Sequence, residues 1–159
     1  MFTRVYETTV EAPVEKVWEL HSRVDALKVL TPPDTQLHVV SKDLSVRDGV
    51  LHEMVFKKMG MKMTWKARIS DVRAPYGFTD TAERAPFAYW QHKHEFIPSE
   101  NGTIVRDTIT YKPLGWFLAG LVNEVLIKED LDKLFAYRQR TMHELLESEP
   151  VVINEDLIH

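Results

Sequence analysis

The chain has 159 residues, 44% of them hydrophobic and 28% charged, a formal charge of −4 and no cysteine. That length suits one globular domain with a sizeable core. Basic residues dispersed along an acidic chain give no footprint for a nucleic acid, and the missing thiols exclude disulfides, thiolate catalysis and cysteine-ligated zinc, haem or iron–sulfur centres.

Alternation of Phe2, Arg4, Tyr6 and Thr8 against Thr3, Val5, Glu7 and Thr9 predicts a strand at the very start. No basic leader followed by an apolar run precedes it, so the expected location is the cytoplasm. Glu11 to Leu20 reads as a helix entered through Pro13, with Val14, Val17, Trp18 and His21 on one face. A second short helix, Asp25 to Leu30, is stopped by Thr31-Pro32-Pro33. Six strands follow near Thr35–Ser41, Val50–Lys58, Met61–Val72, Tyr76–Glu83, Phe87–Pro98 and Thr103–Lys112, parted by turn signals such as Met59-Gly60 and Asn101-Gly102. Connections that short force antiparallel neighbours.

A long helix is expected from Trp116 to Glu147, about 45 Å at 1.5 Å per residue. Its covered face is read from Ile127, Leu131, Leu134, Phe135, Arg138, Met142 and Leu145, with Gly120 and Glu124 projecting onto the same side. Its apolar beginning is too short and too interrupted for a membrane span. Trp116, Phe117, Leu118, Leu121 and Val122 are apolar around most of the circumference, which suits a cavity mouth or self-association as a homodimer. The domain is placed at 1–147, with 148–159 as a tail.

The most informative segment lies between Pro86 and Tyr111. Period-two alternation turns Ala88, Trp90, His92, His94 and Phe96 to one side of a sheet, and Val105, Asp107, Ile109 and Tyr111 likewise. Histidines and an aspartate beside large rings on a concealed face need partners or a cavity, because an unpaired buried polar group is costly. Met54, Phe56, Met63, Trp65, Phe78, Trp90 and Ile127 are the expected apolar lining, since thioethers adapt to shape and rings supply area.

His92 and His94 stand two residues apart on one face, a spacing that can offer two imidazoles to a metal with Asp107 or Asp80. A buried histidine–aspartate hydrogen bond is the preferred reading, and neither a metal nor a cofactor is expected. An aspartate-held imidazole with Tyr111 nearby would also suit acid–base chemistry. Arg138 could hold an acidic ligand, but an ion pair with Asp80 or Asp107 is favoured. Glu124 has the same two uses.

The residues Ala12-Pro13-Val14-Glu15-Lys16-Val17-Trp18, Leu30-Thr31-Pro32-Pro33, Phe78-Thr79-Asp80, Ala85-Pro86-Phe87-Ala88-Tyr89-Trp90-Gln91-His92-Lys93-His94-Glu95-Phe96 and Phe135-Ala136-Tyr137-Arg138, in this order of elements, resemble the SRPBCC superfamily, and within it the START-like and polyketide cyclase/dehydrase-like bacterial branch. The resemblance covers Phe2 to Glu147. It implies an α+β helix-grip fold, in which a seven-stranded antiparallel sheet wraps a long C-terminal helix around an apolar cavity. It further implies a small hydrophobic ligand of lipid, polyketide or aromatic type. It carries no catalytic signature onto this chain, and fold-level analogy sets only a starting point. Three functions follow as expectations: binding or carriage of such a molecule first, a cyclase or dehydratase using an Asp–His pair second, and a protein-interaction module third.

Overall fold

The computed structural model describes residues 1–115 and 120–148, with side chains described from 124 onward in the second span. The apolar run from Trp116 to Val122 and the tail beyond Ser148 therefore fall outside the described residues or side chains. Strand β1 (Phe2–Val10) leads to helix α1 (Val14–His21) and a 3-10 turn (Val24–Lys28). Strands β2 (Thr35–Val39), β3 (Leu51–Lys58), β4 (Met61–Ser70), β5 (Gly77–Arg84), β6 (Phe87–Ser99) and β7 (Gly102–Pro113) follow, then helix α2 (Gly120–Glu147). All seven strands join one antiparallel sheet in the order β1-β7-β6-β5-β4-β3-β2. This is the helix-grip arrangement expected from the sequence, with one difference: the second short helix is a 3-10 turn ending at Lys28.

Local chemistry sets the turns. Met59 and Gly60 close the β3–β4 hairpin with both φ values positive, 49° and 77°, the geometry that two-residue hairpin loops favour. Gly77 opens β5 at φ 143°, and a Cβ there would sit 2.1 Å from the His94 carbonyl oxygen. Only glycine lets β5 come this close to β6 at the level of the histidines.

Alternation holds along β7, whose residues from Thr103 to Tyr111 are buried at every second position. It fails at the start of β6. Phe87 pairs with Pro113 and Tyr89 with Lys112, so an extra residue is accommodated between them. This bulge leaves Ala88 exposed, against the expectation that it faces inward. Phe87 turns toward the core instead, with its ring 4.8 Å from Trp90 and 6.0 Å from Trp65.

The inner face carries two apolar clusters. One joins Val10, Val17, Leu30, Ile69, Phe78, Phe96, Val105 and Met142, with Trp18 edge-on to Phe78. The other joins Trp90, Ile109, Tyr111, Leu131 and Phe135. Between Trp90 and Phe96 on β6 stand His92 and His94, and between Val105 and Ile109 on β7 stands Asp107. A polar seam thus crosses the middle of the sheet and divides the two clusters. Helix α2 lies across it, burying Leu131, Phe135 and Met142. Its covered stripe continues by a four-residue step to Leu146, which packs on the first cluster, while Leu145 is exposed, contrary to the sequence reading.

Candidate functional site

Sheet and helix do not close completely on one another. They leave a cavity of about 570 Å³, inside the range typical of small-molecule sites. Met54, Phe56, Met63, Trp65, Phe78, Trp90, Ile127 and Arg138 line it, together with Asp80, His92 and His94. Trp65 is the hub of its aromatic wall, with Trp90 perpendicular at 5.1 Å, Phe87 at 6.0 Å and Phe56 at 6.1 Å. Leu131, Leu134 and Phe135 of α2 complete the apolar side.

Part of the seam forms the cavity wall. Strand register sets Asp80 opposite His92 and His94 opposite Asp107, so four polar side chains from β5, β6 and β7 meet. The two imidazoles lie 3.7 Å apart between ring centroids, inclined by 31°. Asp107 Oδ1 serves one edge of both rings, accepting from His92 Nε2 at 2.7 Å and lying 3.2 Å from His94 Nδ1. Asp80 Oδ2 serves the opposite edge, accepting from His94 Nε2 at 3.0 Å and lying 3.7 Å from His92 Nδ1. The preferred sequence reading had one such pair; the structure contains two, interlocked.

The electrostatics follow from that geometry. Burial opposes charge on His94, but two carboxylates outweigh it and raise the imidazole above its ordinary range. His92 goes the other way, because burial and the neighbouring His94 charge outweigh its bond to Asp107. Burial would raise both carboxyls, yet the imidazoles hold Asp80 and, more strongly, Asp107 below the usual carboxylate range. The two carboxylates therefore favour the charged form at His94 more than at His92.

Arg138 departs from expectation. Among the described residues no carboxylate lies within ion-pair distance of it. Its Nε donates to the Leu30 carbonyl at 3.1 Å and its guanidinium stands 5.2 Å from the centre of the Phe135 ring. The aspartates that could have paired with it are turned to the imidazoles. Tyr111 and Glu124 also differ from their expected place, since neither lines the cavity. Tyr111, fully buried, donates to Glu124 Oε2 at 2.7 Å, and Glu124 is bridged to Arg4 of β1. That triad fastens α2 to the sheet and leaves the Tyr111 hydroxyl engaged. Burial and Glu124 push its phenol up to about 12.

Phe87 and His21 are among the lining residues that escape the sequence reading of the site. Phe87 is hidden by the bulge, which has no signal in the alternation. His21 belongs to the inward face of α1, but nothing in that pattern places it at the cavity. Its Nδ1 donates to the Val17 carbonyl at 2.7 Å, and its ring lies 6.3 Å from that of His94. Burial pushes its imidazole down to about 4.

A family profile described as polyketide cyclase / dehydrase and lipid transport matches residues 10–136. The chain belongs to this family. Among solved structures, protein CV1439 from Chromobacterium violaceum superposes with a TM-score of 0.74 at 17% identity, over 92% of this chain and 98% of its own. TTHA0849 from Thermus thermophilus reaches 0.68 at 22% identity, over 93% and 100%. The nucleoside-diphosphate sugar epimerase from Corynebacterium glutamicum reaches 0.66 at 26% identity over 91% of this chain but 29% of its own. No curated protein matches. The polyketide cyclase / dehydrase and lipid transport family thus agrees with the apolar cavity, and the first two structures show its fold. Among the described residues no helix is long and apolar enough to cross a membrane.

Proposed function

We propose that this chain binds and carries a small, largely apolar molecule bearing one oxygen-rich end. The observation that carries the reading is the cavity of about 570 Å³, walled by methionines and tryptophans on one side and by α2 on the other, with Asp80, His92 and His94 among its polar groups. Adaptable thioethers and flat rings accept varied apolar shapes. A few convergent polar groups fix which end of the ligand enters first.

A second reading has its own observation. His92 is held by Asp107 at 2.7 Å and faces the cavity, which is the arrangement a general base requires. On a bound aromatic carbonyl compound it would support a cyclisation or dehydration.

Native mass spectrometry of protein taken from its own host, followed by denaturing extraction, tests the first reading directly. A stoichiometric apolar ligand is the expected result. Replacing Trp65 by alanine should weaken that ligand roughly 10- to 100-fold, the equivalent of losing one large buried contact, while His92→Asn should be tolerated. Retained binding with lost turnover in His92→Asn would favour the enzyme. Absence of any small molecule that the wild-type cavity retains or binds would refute the carrier.

A further inference from the structure

The two aspartates and two histidines do more than satisfy one another. One ligand atom from each of Asp80, His92 and His94 lies within 4.8 Å of the others, on the edge of the imidazole pair that Asp80 occupies. The opposite edge belongs to Asp107, at 2.7 Å from His92 Nε2 and 3.2 Å from His94 Nδ1. An imidazole that ligates a metal through one nitrogen is commonly held through the other by a carboxylate, which fixes its tautomer and raises its basicity. Here a single carboxylate stands in that position behind both rings. His94 Nδ1 is moreover buried without a well-aligned hydrogen-bond partner.

We propose that Asp80, His92 and His94 form a three-ligand site for a divalent transition ion of the zinc and cobalt type, with Asp107 as the positioning residue behind both imidazoles. Two nitrogens and one carboxylate oxygen suit such ions and disfavour calcium and magnesium, which prefer all-oxygen shells. In the ion-bound state both imidazoles are neutral, and the two carboxylates supply the charge that a divalent ion matches. Bonds of about 2.0–2.2 Å place tetrahedral ligand atoms roughly 3.3–3.6 Å apart, so Asp80 Oδ2, at 3.0 Å from His94 Nε2 and 3.7 Å from His92 Nδ1, is already close to that spacing, and no pair within the 4.8 Å limit has to close by more than roughly 1.5 Å. All three ligands also line the cavity. The remaining coordination position therefore opens where a ligand's oxygen would arrive, the pattern of a site with three protein ligands and one exchangeable one.

The test uses tag-free, full-length protein stripped with a chelator and titrated with Co2+ and with Zn2+. The expected result is one ion per chain and visible ligand-field bands for bound cobalt. Asp80→Asn and His94→Gln should each weaken binding by at least 100-fold, and Asp107→Asn by about 10- to 100-fold. A neutral apolar fluorophore reports the folded cavity in every variant, so loss of the ion site and loss of the cavity are read separately. X-ray absorption of the wild-type zinc complex, expected to show two imidazoles and oxygen, decides the matter without any variant. Wild-type protein that takes up neither ion stoichiometrically, a zinc shell without imidazole, or affinity unchanged in both Asp80→Asn and His94→Gln overturns the proposal.

Discussion

Replacing Ala67 with leucine separates a true cavity from a filled core by the sign of one number. Ala67 is 3% exposed in the middle of β4, between His52 on β3 and Ala82 on β5, and its methyl faces the cavity. Leucine adds three carbons there. At about 0.8 kcal/mol for each buried methylene the gain is at most about 2.4 kcal/mol, and side-chain ordering removes roughly 0.5–1 kcal/mol. A net stabilisation of about 1.5 kcal/mol is expected if the carbons enter open space. In a close-packed interior the same change costs about 1–3 kcal/mol through displaced neighbours. Urea unfolding of the two proteins at one pH reads the difference from the midpoints, provided the slopes agree. A neutral apolar fluorophore should meanwhile bind the variant less tightly, because leucine occupies part of its space. Destabilisation of about 1–3 kcal/mol at an unchanged slope would refute the cavity and the binding function built on it.

Tyr111→Phe removes the hydroxyl that meets Glu124 at 2.7 Å, and should cost about 1.5–3 kcal/mol, as hydrogen bonds to charged groups do. Because Tyr111 is outside the cavity lining, fluorophore affinity should stay unchanged; a large loss of affinity would show that the triad shapes the site. His52, 1% exposed, donates from Nε2 to the Ser45 carbonyl, and burial holds its pKa below the ordinary value. As pH falls through about 6.5 the unfolded chain takes up that proton before the native one, so this residue's contribution to stability shrinks on acidification. The stability gap between wild type and His52→Gln should narrow from pH 7.5 to pH 5, and a constant gap would contradict the sign.

The architecture was legible because its signals are local and repeated. Seven alternating runs with short turns leave few arrangements other than an antiparallel sheet, and the long amphipathic stretch after it has to cover one face. The inward placement of His92, His94 and Asp107 follows from the same period. Register does not. That Asp107 serves both imidazoles, and Asp80 their other edges, depends on how β5, β6 and β7 slide past one another, which Gly77 and the β6 bulge help to set. Ala88 and Phe87 exchange faces for that reason. Charge alone suggests an ion pair for Arg138. Geometry commits both aspartates to histidines, and a helix face drawn from sequence cannot contain that competition.

The pairing of the first strand with the last has a consequence for the nascent chain. Phe2 lies opposite Tyr111 and Val10 opposite Thr103, so β1 has no sheet partner until about a hundred more residues have been added. At roughly 5–20 residues per second this takes on the order of 5–20 s. During that interval β2 to β6 can form hairpins as they emerge, while Val10 and the inward side of β1 remain uncovered. Completion of the sheet is therefore a closure between distant parts of the chain, of the kind that slows folding. A chain halted before β7 would keep the entire neighbouring pair of strands, β1 and β6, open to association with other chains.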